Sequence, residues 1–150
     1  MKKITFSVLI LIFLVSACSP KEDEDAIKAR KIIEYNKNKF ESLPLSGKII
    51  DGVREINIKA VQYRWEPDTI VVNKGDKIRF IVETADVPHG FELEGINIPG
   101  WDTDTLIVKG DKKIIELVAE DVGTWDIVCT VYCGPGHAGM KGKYIVRDKK

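Results

Sequence analysis

Charge of neither sign dominates this sequence: acidic and basic residues number 23 each. That balance leaves no basic field for nucleic acid and no acidic tail for a basic partner. No apolar run is long enough to cross a bilayer, since the N-terminal run at residues 4–15 supplies only about 12 of the ~20 residues a spanning helix needs. No internal repeat, phosphate-binding glycine loop or nucleophile–base pair is present. Cysteine is scarce at three residues, and histidine and methionine at two each. A disulfide-stapled scaffold is therefore excluded, and a chain of 150 residues can bury a core without staples.

What is present begins at the N-terminus. Met1, Lys2 and Lys3 make a basic start, the apolar run follows, and Ser16 and Ala17 lead to Cys18. This is the order of a secretory signal. Leu14, Val15, Ser16, Ala17 and Cys18 together resemble the lipobox of bacterial lipoproteins. The resemblance implies a signal over residues 1–17, a lipidated Cys18, and a lipid-anchored protein on the extracytoplasmic face of a bacterial membrane, periplasmic or cell-surface. Residues 18–47 read as a polar tether. Residues 26–40 could form a helix, but Ile27, Ile32, Ile33, Tyr35 and Phe40 do not settle on one face, and Pro44 and Gly47 end any helix there.

From Lys48 the texture changes. Residues 56–63 and 78–82 alternate apolar and polar, and shorter β-like runs follow at 69–72, 91–93, 106–109, 113–118, 124–129 and 144–147. Asn73 to Asp76 and Lys109 to Asp111 supply turn residues. Many short strands at this spacing predict an all-β sandwich or barrel over residues 48–150.

With Cys18 assigned to the lipid, Cys129 and Cys133 remain. In an oxidising compartment, two cysteines four apart form a disulfide or ligate a metal. Residues 129–140 also hold His137 and Met140, with Gly134, Pro135, Gly136 and Gly139 between them to fold the backbone tightly. A disulfide would leave His137 and Met140 unexplained. Thiolate, imidazole and thioether form a soft set that suits copper, whereas carboxylates and carbonyls would suit magnesium or calcium. Zinc also takes cysteine and histidine, but seldom methionine. A mononuclear blue site uses one cysteine and two histidines, and this loop has one cysteine too many. Two thiolates can bridge two metal ions, each capped by a histidine, and the other histidine is His89, between two predicted strands.

The pattern Cys-x-x-x-Cys-Gly-x-x-His-x-x-Met, preceded by Asp-Val-x-His-Gly-Phe at residues 86–91, is similar to the Cu(A) domain of cytochrome oxidase subunit II, short type, and of nitrous oxide reductase. The likeness covers roughly residues 61–146 and includes Trp65, Glu66 and Pro67. It implies a cupredoxin Greek-key sandwich. It also implies a binuclear copper centre bridged by Cys129 and Cys133, capped by His89 and His137, with Met140 and the Val131 carbonyl as weak ligands. Tyr63 and Trp65 lie where the family's electrons tend to enter; Trp101 and Trp125, like Trp65, read first as packing aromatics. Many family members carry glutamate where this chain has Val131 and use it for a second metal at the oxidase interface. The family's membrane-spanning segment is replaced by the lipid anchor. Two functions follow: an electron carrier between a c-type cytochrome or other small redox carrier and a terminal oxidase or reductase, or a periplasmic copper-delivery or copper-sensing protein. An enzyme ranks third, because no ligand position is left open for a substrate.

Overall fold

Residues 23–149 are described by a computed structural model. The chain divides between Glu34 and Tyr35. Cys18 and the expected signal over residues 1–17 lie outside the described residues.

The polar segment contains helix α1, Glu24–Glu41. Asp23 caps it: its carboxylate accepts from the Asp25 amide at 3.2 Å and its carbonyl from Ile27 at 3.1 Å. Glu24 and Asp25 put negative charge at the positive end of the helix dipole. Ile32, Ile33 and Tyr35 are exposed, as expected for apolar residues that share no face. The helix stops before Pro44. Beyond it the chain is fixed to the domain earlier than Lys48. Arg147 donates to the carbonyls of Glu41 and Leu43, each at 2.8 Å, and the Ser46 amide donates to the Val71 carbonyl at 2.8 Å.

Among the described residues, nine strands make two sheets. In the first, β1 (Lys48–Ile50), β2 (Val53–Val61), β5 (Lys77–Thr84) and β7 (Lys112–Val118) lie in that order, and β3 (Arg64–Glu66) also pairs β2. In the second the order is β4 (Thr69–Asn73), β9 (Lys141–Arg147), β8 (Gly123–Val128) and β6 (Glu92–Leu93). The β2–β5 and β4–β9 pairs are parallel and the rest antiparallel. The period-2 pattern decides which faces meet. Ile56, Ile58 and Ala60 of β2 and Ile78, Phe80 and Val82 of β5 point inward, against Ile70, Val72, Ile127, Tyr144 and Val146 of the other sheet. Phe80 and Phe91 pack at 5.7 Å, and Trp65 meets Phe91 edge-on at 5.5 Å. Each such buried side chain stabilises the fold by roughly 1.5–3 kcal/mol.

One predicted strand fails. Residues 106–109 form only a single bridge, Ile107 to His89. Ile107 is buried but Leu106 and Val108 are exposed, so the apolar run serves one anchoring residue and has no neighbouring strand to continue the ladder.

Strand register places the loop. The last pair of the β8–β9 hairpin is Val128 with Lys141. Residues 129–140 therefore leave and re-enter the sheet side by side, with Cys129 and Met140 at the two mouths. On the other side β6 pairs Glu92 with Val128, which carries the chain just before it, including His89, alongside Cys129.

Candidate metal centre

The donors form a compact cluster. The Nδ1 atom of His89 lies 3.5 Å from Cys129 Sγ, the two sulfurs are 3.9 Å apart, and Cys133 Sγ lies 3.6 Å from His137 Nδ1. A weaker donor joins each sulfur: the Val131 carbonyl at 3.1 Å from Cys129, and Met140 Sδ at 3.9 Å from Cys133. All six sequence-predicted site groups meet at this one place. His89, Cys129, Cys133 and Met140 are buried, and His137 is half-buried.

Distances separate the possible uses of two thiols. A disulfide bond is about 2.05 Å long, and 3.9 Å is nearly twice that, so the sulfurs stand as two separate thiols. A single tetrahedral zinc would hold its four donor atoms about 3.3–3.8 Å from one another, given the usual Zn–N and Zn–S lengths. The donor atoms of His89, Cys129 and Cys133 lie within 4.8 Å of one another, and His137 falls outside that group. Each sulfur has an imidazole nitrogen within 3.6 Å. Thiol sulfur, imidazole and thioether together form a soft donor set that suits copper.

The supporting contacts fix the ligands. His89 Nε2 lies 2.9 Å from Asp86 Oδ1, which places the ring proton on Nε2 and turns the Nδ1 lone pair toward Cys129. Burial pushes the Asp86 carboxyl up, but hydrogen bonds from the Gln62 amide, His89 and Val87 outweigh it and hold the pKa at about 2. Burial and the neighbouring Cys129 push the Cys133 thiol up to about 11. A metal ion must therefore displace that proton, and uptake at neutral pH releases acid.

The aromatic candidates separate. Tyr63 is partly exposed, and its ring covers Gly134 and Gly136: a Cβ at Gly136 would sit 2.3 Å from it. Trp65 is only 1% exposed and belongs to the core. Tyr132, not singled out from sequence, is 74% exposed and stands 5.7 Å from the His137 ring. Trp101 is tied to the core by its indole N–H, which donates to the Phe91 carbonyl at 2.9 Å. Asp86, Gly90 and Gln62 support the site and were missed as such; the Asp-Val-x-His-Gly spacing held the signal for the first two. A cleft of about 640 Å³ lined by Ile78, Leu117, Trp125 and Tyr144 includes none of the donor residues.

No family model matches the chain. Cytochrome c oxidase subunit 2 of Thermus thermophilus is 30% identical over 93 residues, covering 62% of this chain and 65% of that protein. Quinol oxidase subunit 2 of Sulfolobus acidocaldarius is 37% identical over 70 residues, 44% of this chain and 39% of its own length. The chain thus spans less than two thirds of the curated relatives it matches. Among solved structures, the periplasmic domain of subunit II of cytochrome oxidase from Bradyrhizobium japonicum has a TM-score of 0.53 at 18% identity, covering 68% of this chain and 89% of that one. No described helix is long and apolar enough to cross a membrane. In fold the chain is a cupredoxin sandwich, and over the matched stretch it is similar to the subunit 2 proteins of cytochrome c and quinol oxidases.

Proposed function

We propose that this protein is a one-electron carrier whose 129–140 loop and His89 hold two copper ions, on the extracytoplasmic side of a membrane. The observation that carries the reading is the donor cluster, in which each sulfur has its own imidazole and its own weak donor. Cys129 and Cys133 would be shared by the two ions, His89 and His137 would cap one each, and Met140 and the Val131 carbonyl would be distant ligands. Copper bound there supplies one reversible electron. The chain contributes the rest. Its sheets hold the ligands in one geometry, burial keeps water from the sulfurs, and the exposed Tyr132 and Tyr63 cover the route outward from His137 and the glycine turn. Partners of the expected chemistry are a c-type cytochrome or other small carrier and a terminal oxidase.

The test is metal loading of the full chain. We expect two coppers per chain by elemental analysis, a purple oxidised form with one electron shared between the ions in its EPR spectrum, and return of that spectrum through repeated reduction and reoxidation. One zinc per chain, or one copper with a blue-site spectrum, would sink the reading. Copper lost stoichiometrically to an apo-oxidase without reversible electron transfer would favour delivery. Anchoring is part of the same reading. Cys18→Ala is expected to release the processed protein from membranes or leave its signal uncleaved, and a correctly cleaved Cys18→Ala protein that stays with the membrane would refute the anchor.

A further inference from the structure

Gln62 supplies no ligand atom, yet it is tied to both segments that supply the donors. It sits just past β2, half-buried, in the turn that leads to β3. Its side-chain amide donates to the Cys133 carbonyl at 2.5 Å. Its backbone N–H donates to Asp86 Oδ2 at 2.7 Å, and the other oxygen of that carboxylate holds His89 Nε2 at 2.9 Å. His89 and Cys133 are far apart in sequence and lie on different connections, and this one residue ties them. Gly134 shows how closely the parts fit. Its φ of +127° turns the peptide after Cys133, and a Cβ there would meet the Gln62 amide nitrogen at 3.0 Å and the Tyr63 hydroxyl at 2.6 Å.

We propose that Gln62 is a positioning residue that sets the separation of the His89–Cys129 end of the centre from the Cys133–His137 end, through one hydrogen bond to each arm. The inference rests on the two-copper reading for its electronic consequence but not for its mechanical one. The Asp86 bond uses the Gln62 backbone and survives any side chain. The Cys133 bond uses the side chain and can be removed alone. Losing one neutral hydrogen bond is enough to change how often the loop opens several-fold but too little to decide whether the sandwich folds. Within the centre, a shift of the Cys133 backbone moves a sulfur in contact with Cys129, His137 and Met140 together.

The experiment compares wild type with Gln62→Met, which keeps length and volume but has no donor, and Gln62→Asn, which keeps an amide one methylene too short. In the metal-free full chain, amide hydrogen exchange is followed at His137, Gly139 and Met140, whose N–H groups close the turn onto Gly134, Gly136 and His137. We expect exchange there to quicken by about fivefold in both variants, with no change in the amides that pair β5 with β7. After copper loading both variants should bind as much copper as wild type, with a shifted midpoint potential and altered copper hyperfine splitting. A role in folding alone would move neither the potential nor the splitting. Unchanged exchange at the turn together with unchanged potential would overturn the proposal. Unfolding of both variants would also overturn it, by making Gln62 a determinant of the fold. If wild type takes up no copper, the carrier reading fails while the exchange measurement still decides the role of Gln62.

Discussion

Cys133→Ser is expected to abolish the metal pair, Cys129→Ser to do the same, and Met140→Leu to leave the pair assembled with a changed potential. The ranking follows from what each atom touches. Cys133 Sγ lies within 4 Å of Cys129, His137 and Met140, and Cys129 Sγ within 4 Å of His89, Cys133 and the Val131 carbonyl. Each sulfur is thus a hub of the donor cluster. Serine puts a hard, poorly ionised alcohol there, which a soft metal binds weakly. The loss should exceed the 10–100-fold in affinity typical of removing an outer partner. Met140 touches one sulfur from the edge. It is also 1% exposed, so leucine fills its volume at less than about 1.5 kcal/mol. Equilibrium dialysis against copper, followed by metal analysis, measures all three. Copper retained by Cys133→Ser but lost by Met140→Leu would show the roles to be reversed.

Much of this was legible because copper sites concentrate unusual residues. In a chain with so few cysteines, histidines and methionines, the grouping of Cys129, Cys133, His137 and Met140 among glycines suits little besides a soft metal, and only His89 was left to complete the set. The strands were legible where burial alternates, as along β2 and β5, because the period-2 pattern is imposed by the sheet itself. The 106–109 run fails as a strand for a related reason: an alternating run says which residue is buried but not whether a neighbouring strand exists to pair with it. β1 is invisible in the sequence because it is three residues long and exposed throughout, so no pattern marks it. The support around the ligands was the least legible part. Gln62 acts by reaching a carbonyl 71 residues away, and no local spacing encodes that. Trp65 lies in the core, as a large aromatic in a short strand is expected to.

Gly90→Ala should weaken copper binding at this site, although the change adds a single methyl group and touches no donor atom. The His89 segment crosses the start of the cysteine loop so closely that a Cβ at Gly90 would lie 2.0 Å from Thr130 Oγ1, 2.9 Å from Val131 Cγ2 and 3.0 Å from the Val131 amide nitrogen. The hydroxyl cannot simply swing aside without loss, because it donates to the Thr103 carbonyl at 2.5 Å. The backbone on the other side is held by the two bonds between His89 and Ile107, at 2.8 and 3.1 Å. Something must move, and overpacking of this kind destabilises a domain by about 1–3 kcal/mol. The cheapest movement draws the His89 segment away from residues 130–131 and lengthens the 3.5 Å approach of its Nδ1 to Cys129. Gly139→Ala is the matched control, since a Cβ there meets nothing within 4 Å, and it should bind copper as wild type does. Thr130→Ala on the Gly90→Ala background removes the nearest clash and should restore part of the binding, the Val131 contacts accounting for the remainder. Copper stoichiometry and thermal unfolding of the three variants decide it: normal copper content in Gly90→Ala with an unchanged midpoint would mean that the two segments are not in contact as described.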